Sequence, residues 1–134
     1  MKKKILAMFA IAALAFGLAG CGGGSDTIVI SDRFFVQEIN DLVLNHQQNL
    51  GRTIEYEGLF LSMGDGERYM VLQFLWSCCG IEPFGFFVDI GDRAPFEDLT
   101  WVAVSGTLTM SNNELTLDVI SIVEAQAPDD IFTL

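Results

Sequence analysis

The sequence predicts a mainly β fold: a small OB-like five-stranded barrel or strongly curved antiparallel sheet with one N-terminal helix, a small sandwich being the alternative. Three observations point there. Stretches of alternating apolar and polar residues recur along the chain, turn signals rich in glycine and asparagine separate them at short intervals, and the 114 residues from Cys21 to Leu134 suffice for one small domain with a single core.

Taken in order, Thr27 to Ile30 is a β-branched run suited to an edge strand, and Ser31 or Asp32 then offers a helix cap. Apolar residues at 35, 36, 39, 42 and 43 follow helical spacing, so a helix is expected over Arg33 to Leu44. Asn45 to Leu50, ending at Gly51, is expected to be a helical turn or loop leading into the sheet. Arg52 to Ser62 alternates, with Ile54, Tyr56 and Phe60 on one face and Glu55, Glu57 and Leu59 on the other. Gly64-Asp65-Gly66 supplies the positive φ angles of a tight hairpin, and Arg68 to Trp76 returns with apolar residues on both faces, as a central or covered strand would. A third strand is expected over Gly85 to Ile90, a loop over Gly91 to Pro95 and a turn of helix over Phe96 to Leu99. Thr100 to Met110 alternates again, and Gly106 interrupts it as a bulge or corner would. Ser111-Asn112-Asn113 makes the next turn, and Glu114 to Val123 is the fifth main strand. The tail from Pro128 is apolar enough at Ile131, Phe132 and Leu134 to pack back on the domain.

Residues 1–20 have the form of a targeting leader, with Lys2, Lys3 and Lys4 ahead of an apolar run from Ile5 to Leu18 that is short for a membrane span. Leu18-Ala19-Gly20-Cys21 has the form of a bacterial lipobox, so Cys21 is expected to become an acylated N-terminus. Its acyl chains would contribute about 0.8 kcal/mol per buried methylene and hold the protein on the lipid bilayer. Residues 21–26 then read as a lipidated cysteine and flexible glycine-rich tether, and 27–134 as a single domain. The expected location is the cell envelope: the outer membrane of a two-membrane organism, otherwise the outer face of the cytoplasmic membrane.

Removing the leader leaves Arg33, Arg52, Arg68 and Arg93 against 18 acidic residues, a net charge of −14. Such a surface repels phosphate backbones, so no nucleic-acid partner is expected. Anionic lipid headgroups would repel it too, leaving the acyl chains as the membrane contact.

The chemistry concentrates in Trp76-Ser77-Cys78-Cys79-Gly80, where an apolar strand ends in two adjacent thiols before Pro83. Three readings stand side by side. The pair can be buried core residues, a redox couple forming a vicinal disulfide across an unfavourably short Cα separation, or ligands for a soft ion such as zinc or copper(I). The third requires the strand to end or bulge at the pair, because neighbouring side chains on a regular strand point to opposite faces. Zinc would need further ligands. His46, Glu82 and Asp89 are the candidates, none placed by spacing. Trp76 and Trp101 are expected to border the end of the sheet where the thiols emerge, forming a mostly apolar pocket.

Enzyme templates fit poorly. One histidine without a nucleophile elbow gives no hydrolase triad, Glu55 and Glu57 read as a solvated strand face, and Asp65 reads as a turn residue. A non-catalytic protein is expected.

Three segments carry a resemblance to a known family. Gly51-Arg52-Thr53-Ile54-Glu55-Tyr56-Glu57-Gly58-Leu59-Phe60, Phe74 to Cys79, and Trp101-Val102-Ala103-Val104-Ser105-Gly106 are similar in order and spacing to motifs of the YcgQ-like proteins, over roughly residues 34 to 132. That bacterial group is a domain of unknown function, often encoded beside a YcgR-type predicted permease. Gly80-Ile81-Glu82 replaces the usual Ala-Asp after the cysteine pair, and Gln73 stands where an arginine is common. The resemblance implies an OB-like domain at the outer face of a membrane, with a link to metal transport and a permease as partner. A metal-handling binding module is therefore the first expectation, with a thiol redox protein or a purely structural or interaction lipoprotein as alternatives.

Overall fold

The computed structural model describes residues 26–129. The leader, Cys21, most of the tether and the apolar tail at 131–134 lie outside the described residues. The chain runs through β1 (Thr27–Val29), a 3-10 turn (Asp32–Phe34), α1 (Phe35–Leu44), α2 (His46–Asn49), β2 (Thr53–Met63), β3 (Arg68–Ser77), β4 (Gly80–Asp89), β5 (Trp101–Ser111) and β6 (Glu114–Glu124).

Helix α1 forms where the apolar spacing predicts one, and it buries Phe35, Ile39 and Leu42 on a single face. Ser31 does not cap it through its hydroxyl. Instead the Ser31 backbone N–H donates to Glu38 Oε2 at 2.7 Å, so a carboxylate from the helix holds the incoming chain. At the other end the side-chain amide of Asn45 donates to the Asp41 carbonyl at 3.1 Å, satisfying an acceptor the helix leaves open.

The strands form one sheet in the order β1-β2-β3-β4-β6-β5, and a further pairing of β2 with β5 closes β2 through β6 into a ring of hydrogen bonds. The expected mainly β class and five-strand closure are thus present. The sheet is mixed, however, where an antiparallel one was expected: β4 pairs parallel with β6, and β1 parallel with β2. Alternation reports which face of a strand is buried and carries no information on the direction of its neighbour.

The core lies inside the ring, where Ile54, Tyr56, Phe60, Val71, Phe86, Val102, Val104, Leu108 and Leu117 meet the apolar face of α1. Tyr56 crosses this core. Its hydroxyl donates to the Val71 carbonyl at 2.7 Å and accepts from the Phe86 N–H at 3.2 Å. Gly106 sits at the expected bulge, where the register of β5 against β6 shifts between Ser105 and Gly106. Gly85 permits a closer approach still, because a Cβ there would lie 2.1 Å from the Val71 carbonyl oxygen.

Two local expectations are corrected. Phe96 to Leu99 is not helical; the Leu99 N–H bonds to the Phe60 carbonyl at 2.7 Å and the Phe60 N–H to the Thr100 carbonyl at 2.8 Å, so the segment continues the edge of β5 along β2. The third main strand begins at Gly80, not Gly85. Pro83 suggested a break, but it pairs with Phe74 in unbroken register. A proline can do this where its nitrogen faces away from the partner strand.

Candidate functional site: the dithiol hairpin

The turn between β3 and β4 consists of Cys78 and Cys79, the last strand pair being Ser77 with Gly80. Gly80 takes the left-handed conformation this turn requires, at φ 135°, and neither cysteine has positive φ. Ser77 ties the turn together: its hydroxyl accepts from the Cys79 N–H at 3.2 Å and donates to the Gly80 carbonyl at 3.2 Å.

Because the strand ends at Ser77, the two side chains escape strict alternation. Both thiols are free and exposed, with their sulfurs 3.4 Å apart. The buried-core reading of the pair is therefore set aside. Adjacent Cα atoms lie about 3.8 Å apart, below the usual span of a disulfide, so covalent closure would strain the turn. Two thiolates presented side by side to solvent form half of a soft-metal site.

The other sequence-predicted ligands are dispersed. Glu82 belongs to the same hairpin, opposite Leu75, and is exposed. His46 faces a groove with Met70 and Phe87, and its Nδ1 lies 2.8 Å from the Val43 carbonyl. Met70 precedes Ser77 by seven positions on β3, about 23 Å along an extended strand. Asp89 ends β4, about 30 Å along the strand from Gly80, where it accepts the Gly91 N–H at 3.0 Å. Among the described residues no group of three or more His, Cys, Asp or Glu side chains is placed to share an ion.

The tryptophans share a sheet face but not a pocket. The register puts Trp101 opposite Leu59, Leu59 opposite Leu72, and Phe74 and Trp76 farther along the same face of β3. Trp101 is 6% exposed and its indole N–H donates to Glu57 Oε2 at 2.9 Å. Trp76 is 61% exposed. The expected apolar pocket around the thiols is replaced by a protruding tip.

Beyond Leu72 on β3 and before Phe87 on β4, these strands pair only with each other. The result is a two-stranded arm. Gln73 braces its root, its amide donating to Asp32 Oδ1 and to the Glu57 carbonyl, each at 3.0 Å. One face of the arm turns Leu75 and Phe84 onto the core. The other carries Phe74 and Trp76 opposite Pro83 and Ile81, all exposed.

A second concavity of about 420 Å³ lies between β1, β2, β5 and β6, lined among others by Val29, Asp32, Glu55, Glu57, Ser105 and Val123. Glu55 Oε1 accepts from the Ser105 hydroxyl at 3.3 Å. The two glutamates read from sequence as a solvated face are thus engaged across the strand with β5, a pairing that alternation alone could not reveal.

The fold and site define a small, mainly β domain whose hydrogen-bonded ring carries an exposed dithiol hairpin. The DUF1980 C-terminal domain model matches residues 19–133, and the chain belongs to that family, a bacterial domain of unknown function. No curated protein matches it.

Proposed function

We propose that this is a non-catalytic, lipid-anchored envelope protein that binds a soft metal ion through Cys78 and Cys79 and completes the coordination with a ligand from a membrane partner such as a permease. The observation that carries the reading is the pair of exposed sulfurs, 3.4 Å apart on a turn braced by Ser77. Thiolates favour copper(I) and zinc. Zinc prefers four ligands, and with only two thiols on the tip, copper(I), which is content with fewer, is the better fit. A site left open on the solvent side suits an ion that is handed on.

The reduced chain should bind about one copper(I) per molecule, releasing protons as the thiols deprotonate. Trp76, two positions before Cys78, should lose fluorescence in the same step. The Cys78→Ser/Cys79→Ser variant should lose binding, proton release and the fluorescence change together. Retained stoichiometric binding in that variant would refute the reading.

A redox role is the second reading, favoured by the same sulfur separation. It requires oxidation to remove about two hydrogens per molecule reversibly, a loss of about two daltons by mass spectrometry, at a strained bond. The anchor is tested separately: the membrane-bound chain should carry the mass of acyl chains on Cys21, a Cys21→Ser chain should not, and an unmodified Cys21 in the membrane fraction would exclude acylation as the attachment.

A further inference from the structure

We propose that the exposed face of the β3–β4 arm, formed by Phe74, Trp76, Ile81 and Pro83, docks in the interfacial layer of a lipid bilayer and holds the dithiol tip at the membrane surface. This rests on the anchored reading above for its orientation. The docking face itself is an independent feature of the fold.

Register establishes the direction of the arm. Strand β3 runs antiparallel to β2, with Met63 opposite Arg68 and Leu59 opposite Leu72, so its continuation toward Ser77 heads for the end of the ring where β2 begins. The chain enters at that same end. Thr27 is paired with Thr53, and the Thr53 N–H donates to the Asp26 carbonyl at 3.0 Å. Asp26, where the described chain begins, and the tip of the arm therefore lie toward the same end of the ring.

Their lengths also agree. Five residue pairs, from Gln73 with Phe84 to Ser77 with Gly80, extend past the β2–β3 pairing, about 15 Å at the rise of an antiparallel strand. Residues 21–26 span at most about 20 Å. A domain held by Cys21 can thus rest on the bilayer with its arm touching the surface.

The chemistry of the arm favours lipid as the occupant. From Gln73 to Pro83 the only charged side chain is Glu82, and the register places it on the face shared with Leu75, opposite the proposed contact. Trp76 is 61% exposed, Ile81 54% and Phe74 42%. Aromatic residues favour the headgroup boundary, and an apolar face beside them adds interfacial affinity. The opposite face is held by Leu75 and Phe84 on the core, so the apolar residues are presented without refolding. With its excess of carboxylates the domain should favour zwitterionic over anionic lipid.

The test uses the full chain and its Cys21→Ser counterpart with phosphatidylcholine vesicles, some carrying brominated acyl chains. Trp76 fluorescence should shift to shorter wavelength and be quenched by the brominated lipid, with little dependence on salt. Trp76→Phe, which retains the buried Trp101, should abolish the quenching. Trp76→Ser/Ile81→Ser in the Cys21→Ser background should weaken vesicle partitioning about 100-fold.

Quenching in the Cys21→Ser chain at high lipid supports the inference whether or not acylation occurs. If the full chain pellets with vesicles while Trp76 stays open to acrylamide, the inference is overturned and the anchor stands. If the Cys21→Ser chain shows no quenching at saturating lipid and the full chain fails to pellet, both are overturned. Concentration-dependent shielding of Trp76 without lipid would instead assign the face to a second copy of the chain and overturn the lipid assignment.

Discussion

The phenol of Tyr56 links β3 to β4 from inside the ring, accepting one backbone N–H and donating to one carbonyl. Burial is the main reason its pKa is raised far above the ordinary tyrosine value, with the Phe86 N–H bond acting in the opposite direction. A phenol held neutral when folded contributes stability that is complete below the unfolded pKa of about 10 and is lost as pH rises beyond it. Tyr56→Phe should therefore cost about 1–3 kcal/mol at neutral pH, through unpaired backbone groups at Val71 and Phe86. Denaturant unfolding at pH 7 and pH 11 should show a smaller alkaline loss in the variant than in the parent. An equal loss in both would assign the alkaline sensitivity to other groups.

At the scale of elements, the segment leading into β5 shows a tertiary contact overriding a local preference. Asp98 accepts the Ser62 backbone N–H at 2.8 Å and the Ser62 hydroxyl as well, and these bonds lower its carboxyl pKa. The contribution is present above the ordinary carboxylate range and is lost as pH falls through the depressed folded value. Thermal melts of Asp98→Asn should lie below the parent at pH 7 and approach it toward pH 3. A gap independent of pH would mean that the charge is not involved. The sequence pattern revealed α1, the Asn112-Asn113 turn and the bulge at Gly106, because spacing, turn residues and an interrupted alternation are local signals. The start of β4 was hidden by Pro83, and the loop at Phe96 to Leu99 by pairing with β2, which no window around Asp98 contains. Leu59 illustrates the same limit: alternation put it on the wetter face, but Leu72 and Trp101 pair beside it and it is buried.

For the molecule as a whole, the thiol pair was visible as chemistry but not as geometry. That Cys78 and Cys79 form a hairpin tip depends on β4 reaching back to Gly80, while His46 and Asp89 are placed elsewhere by the course of the ring. The arm also exposes backbone edges that the ring has closed elsewhere, and open edges are templates for adding a strand from another molecule. Pro83 interrupts the donors on one of them. Replacing it with threonine should keep the pairing with Phe74 and restore a full row of N–H groups, so Pro83→Thr should raise the fraction of aggregated chain at high concentration, measured by light scattering. An unchanged aggregation threshold would mean that the edge is covered by other means. On this view the proline near the dithiol protects solubility: it lets a sticky, two-stranded arm leave its edges open without recruiting its own kind.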